Sequence, residues 1–151
     1  MQLIVSASAD QQMHVWDMET AVLVHTGKGC TSGQHALAVL SSHWLDTRAV
    51  FACQQDKPII NYYNLQKSAC CARWVVPEVL GCIRVSSSGA YLVGGGISGS
   101  MYIWELATGH LLRVWDAHYN KVSVLQFSAN DSMVLTAGHD SAIHIFKMNE
   151  Y

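Results

Sequence analysis

Three side chains near the end of the chain, His118, Thr136 and Asp140, are of the types from which a proton relay is built. An imidazole between a hydroxyl and a carboxylate can activate a nucleophile, but only where the hydroxyl faces an open pocket. Thr136 sits inside the apolar run Met133-Val134-Leu135-Thr136-Ala137, four residues before Asp140. That run alternates like a strand, which argues against a hydroxyl nucleophile in an open pocket and so against a catalytic pair. A second candidate, Gly94-Gly95-Gly96-Ile97-Ser98-Gly99, satisfies G-x-G-x-x-G. A dinucleotide cradle needs that motif to open a helix whose N-terminus meets the pyrophosphate. Here Ser100-Met101-Tyr102-Ile103-Trp104 follows at once and reads as a strand, so the glycines are expected to serve a turn and close packing. Eight histidines could suggest a metal, yet no H-x-x-x-H or Cys/His cluster appears. They are read as solvated or partner-facing. Five cysteines, at 30, 53, 70, 71 and 82, show no C-x-x-C spacing and are read as reduced, small core residues of a cytosolic or nuclear protein. No catalytic residue, metal site or cofactor is expected.

The elements that carry these residues repeat. Trp16-Asp17, Tyr63-Asn64, Trp104-Glu105 and Phe146-Lys147 are anchors spaced 47, 41 and 42 residues apart. Three positions before each anchor stands Met13, Ile60, Met101 or Ile143, and one before it stands Val15, Tyr62, Ile103 or Ile145. Between these lie His14, Asn61, Tyr102 and His144, so the alternation recurs with the period. A tight-turn residue comes six or seven places earlier: Asp10, Asp56, Ser98 or Asp140. Strands are expected at 3–8, 13–16 and 21–25; at 36–41, 49–54, 59–63 and 68–75; at 80–85, 91–95, 101–104 and 111–115; and at 122–127, 133–137 and 142–147. Loops fall at 28–33 and 42–48, with Trp44 as a lid on a sheet edge. A period of about 40–45 residues with four strands per unit is the signature of a β-propeller blade.

The units are 2–26, a first blade lacking its first strand; 34–77, the second; 78–116, the third; and 117–151, a fourth lacking its last strand. The fold class is therefore all-β, the N-terminal portion of a propeller of about three and a half four-stranded blades, whose ring this chain alone is not expected to close. Half the residues are hydrophobic and 13% are charged, which excludes a disordered chain. The net charge is −2, and the nine lysines and arginines never form a run of three, which argues against an electrostatic nucleic-acid surface. The opening residues end in Ala7-Ser8-Ala9, like a signal-peptide cleavage site. Their apolar run is only Leu3-Ile4-Val5, against about 7–15 residues in a secretory signal, so a strand is expected there. No apolar stretch approaches the length of a membrane span, roughly 20 residues.

At these residues the chain resembles the WD-repeat propellers. Their pattern places Gly-His before the first strand of a blade and Trp-Asp at the end of the third. Gln34-His35 and Ala117-His118 stand at the first place, each His 28 residues before its anchor, and Trp16-Asp17 is a literal Trp-Asp. The resemblance implies a buried hydrogen-bonded network of loop His, strand Ser or Thr, turn Asp and Trp. Carried onto this chain, the fourth blade supplies His118, Thr136 and Asp140 with Phe146 for Trp. The first supplies Ser6, Asp10 and Trp16 without the His, the second His35 and Asp56 with Tyr63, and the third Trp104 with Ser98 at the turn.

The runs from Tyr102 through Gly109 (Tyr-Ile-Trp-Glu-Leu-Ala-Thr-Gly) and from Val122 through Phe127 (Val-Ser-Val-Leu-Gln-Phe) are further similar to one branch, the WD-repeat subunit of the nuclear rixosome. That resemblance covers the chain from Met1. It implies a non-enzymatic protein-interaction scaffold of the nucleus, nucleolus or nucleoplasm, acting in large ribosomal subunit assembly and pre-rRNA processing. Its partners would be protein subunits of that complex and the pre-ribosomal particle, with rRNA met at most indirectly and neither membrane nor small-molecule substrate. The alternative is a generic WD-repeat adaptor such as the substrate receptor of a ubiquitin ligase. Such adaptors often carry Arg three residues after the anchor, where this chain has Glu19, Gln66, Ala107 and Asn149.

Overall fold

β-Branched and aromatic runs broken by Gly, Ser, Asn and Asp turns give a chain of strands, and the computed structural model shows fourteen of them among the residues it describes. It describes residues 2–27, 34–41, 48–65 and 70–148, with 34–41 and 48 placed as backbone. Trp44 and the loop at 28–33 lie outside the described residues. Among those described, no helix is long and apolar enough to cross a membrane. The chain divides into two compact units, Met1–Pro77 and Glu78–Tyr151.

The first unit holds a three-stranded sheet, β1 (Leu3–Ala7), β2 (Met13–Asp17) and β3 (Leu23–Gly27). A four-stranded sheet follows, β4 (Gln34–Ser41), β5 (Arg48–Gln54), β6 (Ile59–Asn64) and β7 (Cys70–Val75). Each is an antiparallel meander in sequence order, and β1 lies next to β4. Met13, Val15, Val50, Ala52 and Tyr63 form the core, with Leu3, Val5, Leu65 and Cys70 packed on it. β3 begins two residues later than the sequence pattern places it. Ala21 is left-handed (φ 54°), and the amides of Ala21 and Asp17 bond Asp17 O and Val22 O at 2.9 and 3.0 Å. The turn therefore consumes Ala21 and Val22.

The second unit holds β8 (Leu80–Val85), β9 (Tyr91–Gly96), β10 (Ser100–Glu105) and β11 (Leu111–Asp116) in one sheet. β12 (Val122–Phe127), β13 (Met133–Gly138) and β14 (Ile143–Lys147) form the other. β8 and β12 are neighbours, and the core between the sheets is Val93, Met101, Ile103, Val122, Leu125 and Val134. Residues 101–104 are all buried: Met101 and Ile103 lie in that core, and on the other face Tyr102 stacks on Trp104.

The glycine run lies on β9 and its turn, with no helix after it. A Cβ at Gly94 would come within 3.0 Å of the Trp104 ring, and one at Gly95 within 2.6 Å of Val122 Cβ. Gly99 is left-handed (φ 100°), and its carbonyl accepts the amides of Ala117 and His118 at 3.2 and 3.0 Å. The run therefore seats one sheet on the next and fixes the loop that carries His118.

At the opposite end of this unit Asp131 clasps the neighbouring turn, accepting Ser87 N, Ser87 Oγ and Ser88 N at 2.9, 2.6 and 2.8 Å. Desolvation works against its charge, but these bonds outweigh it and hold the carboxyl below its ordinary range. Of the described cysteines Cys53 is buried, whereas Cys71 is exposed, a correction to the expectation that all pack in the core. Cys70 and Cys71 alternate on β7, so only the first faces inward. Cys30 lies outside the described residues.

Candidate interaction scaffold and its hydrogen-bond networks

The fourth sheet brings His118, Thr136 and Asp140 together. His118 lies in the loop before β12, Thr136 on β13 and Asp140 in the β13–β14 turn. His118 Nδ1 is 2.9 and 3.0 Å from the two Asp140 oxygens, and Nε2 is 2.9 Å from Thr136 Oγ1. Asp140 also accepts the amides of Tyr119 and Ala142 at 3.0 and 3.1 Å. Desolvation again opposes the charge, yet the Tyr119 amide, the His118 ring and the Ala142 amide bring the carboxyl down to about 2. With Asp140 ionised, Nδ1 carries the proton, leaving Nε2 to accept from the Thr136 hydroxyl. Thr136 is fully buried, so its hydroxyl offers no nucleophile to a substrate.

His144 packs edge-on against the His118 ring at 4.7 Å, and ligand atoms of His118, Asp140 and His144 lie within 4.8 Å of one another. That spacing would suit a cation. Both nitrogens of His118 and both oxygens of Asp140 are already engaged by protein groups, so an ion would have to break the network to enter.

A depressed carboxyl sets a direction for acid sensitivity. Asp140 contributes stability above the unfolded value near 3.8, and the contribution is lost as pH falls through about 2. The gap in thermal midpoint between the wild type and Asp140→Asn is expected to be full at neutral pH and to close across that window. A gap that persists at the acid end would show the carboxylate has no such role.

The third sheet uses different parts. Glu78 lies before β8, as His118 lies before β12, and accepts Ser98 N, Ser98 Oγ and Tyr102 Oη at 2.8, 2.5 and 2.6 Å. Ser98 Oγ in turn accepts the Ser100 amide at 3.3 Å, and the Ser100 hydroxyl donates to Asp116 at 3.0 Å. Burial first, then the bond to Glu78, pushes the Tyr102 phenol up to about 12. Two glycines show that Glu78 and His118 fill one slot. Gly96 and Gly138 each stand eight residues before their anchors. A Cβ at Gly138 would come 2.6 Å from His118 Nδ1, and one at Gly96 would strike the Glu78 carboxylate. Sequence reasoning missed Glu78; the one available signal was a lone carboxylate 26 residues before Trp104, two short of the spacing of 28 that the His positions keep. Ser98 bonds Glu78 and Ser100, while the Trp104 ring fills the space over Gly94 and stacks on Tyr102 at 5.6 Å.

In the first sheet Trp16 Nε1 donates to Ser6 Oγ at 3.1 Å, and Asp10 accepts Gln12 N within its own turn at 3.1 Å, a step short of the tryptophan. His14, read from sequence as solvated, is half-buried and bonds Thr26 Oγ1 at 3.1 Å. In the second sheet the buried polar pair is Gln54 and Asn61, 3.3 Å apart. Asp56 sits exposed in the β5–β6 turn, and His35 lies on β4 with its side chain outside the described residues.

Four meanders of one period, two of them wired from loop to turn, match a known repeat. Residues 109–147 match the family model described as WD domain, G-beta repeat. This is a WD-repeat chain. Its sheets are WD-repeat blades in the plain structural sense, all-β and antiparallel.

The WD-repeat chain is 32% identical over 146 residues to the protein ROOT INITIATION DEFECTIVE 3 of Arabidopsis thaliana, covering 97% of this chain and 33% of that protein. It is 32% identical over 128 residues to the pre-rRNA-processing protein crb3/ipi3 of Schizosaccharomyces pombe, covering 84% and 27%. To WD repeat-containing protein 18 of Mus musculus it is 31% identical over 144 residues, covering 93% and 32%. The chain thus spans about a third of the length of the curated relatives it matches.

Proposed function

We propose that this WD-repeat chain is part of a non-enzymatic scaffold that holds protein subunits together in large ribosomal subunit assembly and pre-rRNA processing, within a nuclear complex of the rixosome type. The observation that carries this reading is the similarity, over 84% of the chain, to a protein named for pre-rRNA processing. The chemistry supports it. The polar clusters are wired inward, to hold turns in place, and rigid turns on a sheet frame suit contact with proteins. Contact with rRNA would pass through protein subunits, because nine dispersed cations make few phosphate contacts. The blade boundaries 2–26, 34–77, 78–116 and 117–151 and the network residues named above belong to the same proposal.

Rapid depletion of the full-length protein is expected to lower the ratio of large to small ribosomal subunits and to accumulate unprocessed precursor RNA. A normal ratio with normal precursors would refute the assignment, and the adaptor reading would take its place.

A further inference from the structure

One end of the second unit gathers Glu78 and Val79 before β8, the β9–β10 turn, the β11–β12 loop and the β13–β14 turn. Two large side chains stand out from it. Tyr119 is 100% exposed and Ile97 48% exposed. They sit on adjoining segments, since the Gly99 carbonyl accepts the amides of Ala117 and His118 within two residues of each. Both are held at the backbone: Tyr119 N bonds Asp140, and Ile97 N bonds Val79 O at 3.1 Å. An aromatic and an aliphatic side chain on pinned backbone lose little freedom when covered, which is the profile of an interface anchor.

The charge around them has a sign. The carboxylates at this end are Glu78, Asp116 and Asp140, and the lysine is Lys121, an excess of two negative charges with the histidines neutral. Asp116 is exposed, and its carboxylate accepts the Ser100 hydroxyl at 3.0 Å. A phosphate backbone would meet repulsion here, whereas a lysine or arginine would be drawn in.

We propose that Tyr119 and Ile97 form a docking point for a segment of another protein that presents an aliphatic side chain flanked by basic residues, with the exposed Asp116 selecting the basic flank. This deepens the scaffold reading and rests on it for biological context.

The test uses the full-length protein and short fluorescein-labelled peptides followed by anisotropy. One peptide carries leucine between lysine and arginine, a second replaces the basic residues with glutamate, and a third replaces the leucine with serine. Labelled oligouridylate is the fourth probe. The basic leucine peptide is expected to bind at least about tenfold more tightly than the other three. Tyr119→Ala and Asp116→Lys are each expected to remove about tenfold of that affinity without moving the thermal midpoint. Equal or absent binding of the peptides, preference for the RNA, or an unchanged affinity in Tyr119→Ala would overturn the proposal. Co-sedimentation of the wild type with large-subunit precursors, measured in parallel, decides the assembly role alone, and the peptide selectivity decides the surface alone.

Discussion

Replacing Gly95 with valine is expected to destabilise the full-length protein by about 1–3 kcal/mol, seen as a lower midpoint in thermal and denaturant unfolding. Gly95 lies on β9 where the third sheet faces the fourth. A Cβ there would come 2.6 Å from Val122 Cβ and 3.0 Å from Cys82 Sγ. Neither neighbour can swing away. Val122 is fully buried in the core on β12, and the Cys82 sulfur is directed at the Val122 carbonyl, 3.7 Å away. Burial pushes that thiol up to about 11, so it stays a neutral packing group. The added branches would have to part the two sheets. Ile97→Val, two residues on in the exposed turn, is the control and should stay within about 0.5 kcal/mol. A glycine run that served as a phosphate cradle would behave the other way, with Gly95→Val melting normally and losing nucleotide binding. That outcome would refute the packing role.

Thr136→Val is expected to cost about 1–3 kcal/mol, because it keeps the shape of the side chain and strands the His118 nitrogen that Thr136 now satisfies. His118 is 6% exposed and Thr136 fully buried, so water cannot replace the lost bond. Phe146, where related repeats carry tryptophan, supplies no second donor. Thr136→Ser should recover most of the loss, since the hydroxyl returns and only a methyl is missing. Ser98→Ala in the third sheet should cost less than Thr136→Val, because Ser98 is exposed and water can stand in for its hydroxyl. Denaturant midpoints at unchanged slope give the ordering. Equal losses for Thr136→Val and Ser98→Ala would mean the His118 network carries no special weight.

The architecture was legible because its signals are periodic. The anchors Trp16, Tyr63, Trp104 and Phe146, with apolar residues one and three places before them, mark the third strand of each sheet by register alone. The start of β3 was not, since a left-handed Ala21 is invisible in a run that reads Thr-Ala-Val-Leu-Val. His118, Thr136 and Asp140 could be named because each has a distinctive type at a set distance from its anchor. Glu78 could not, because a glutamate before a strand is the commonest of solvated residues. Only the glycine facing it, and two hydroxyl donors brought in by folding, give it a place. His144 was read as facing solvent and is exposed, but its ring also covers His118.

Glu78 and His118 occupy matching slots with opposite polarity, and this bears on how such a chain finds its native pairing. Repeated sheets invite confusion, because the strands of one unit can be built onto the turn of another. An imidazole that gives its proton to Asp140 keeps a single acceptor, Nε2, whereas Ser98 and Tyr102 bring three donors that Glu78 takes up. A glutamate placed opposite Asp140 would set two carboxylates face to face. Each of these two loops is therefore satisfied best by its own turn. Between these two sheets the wiring works as a keyed connector, favouring the native pairing over an exchange of strands between sheets with nearly the same backbone.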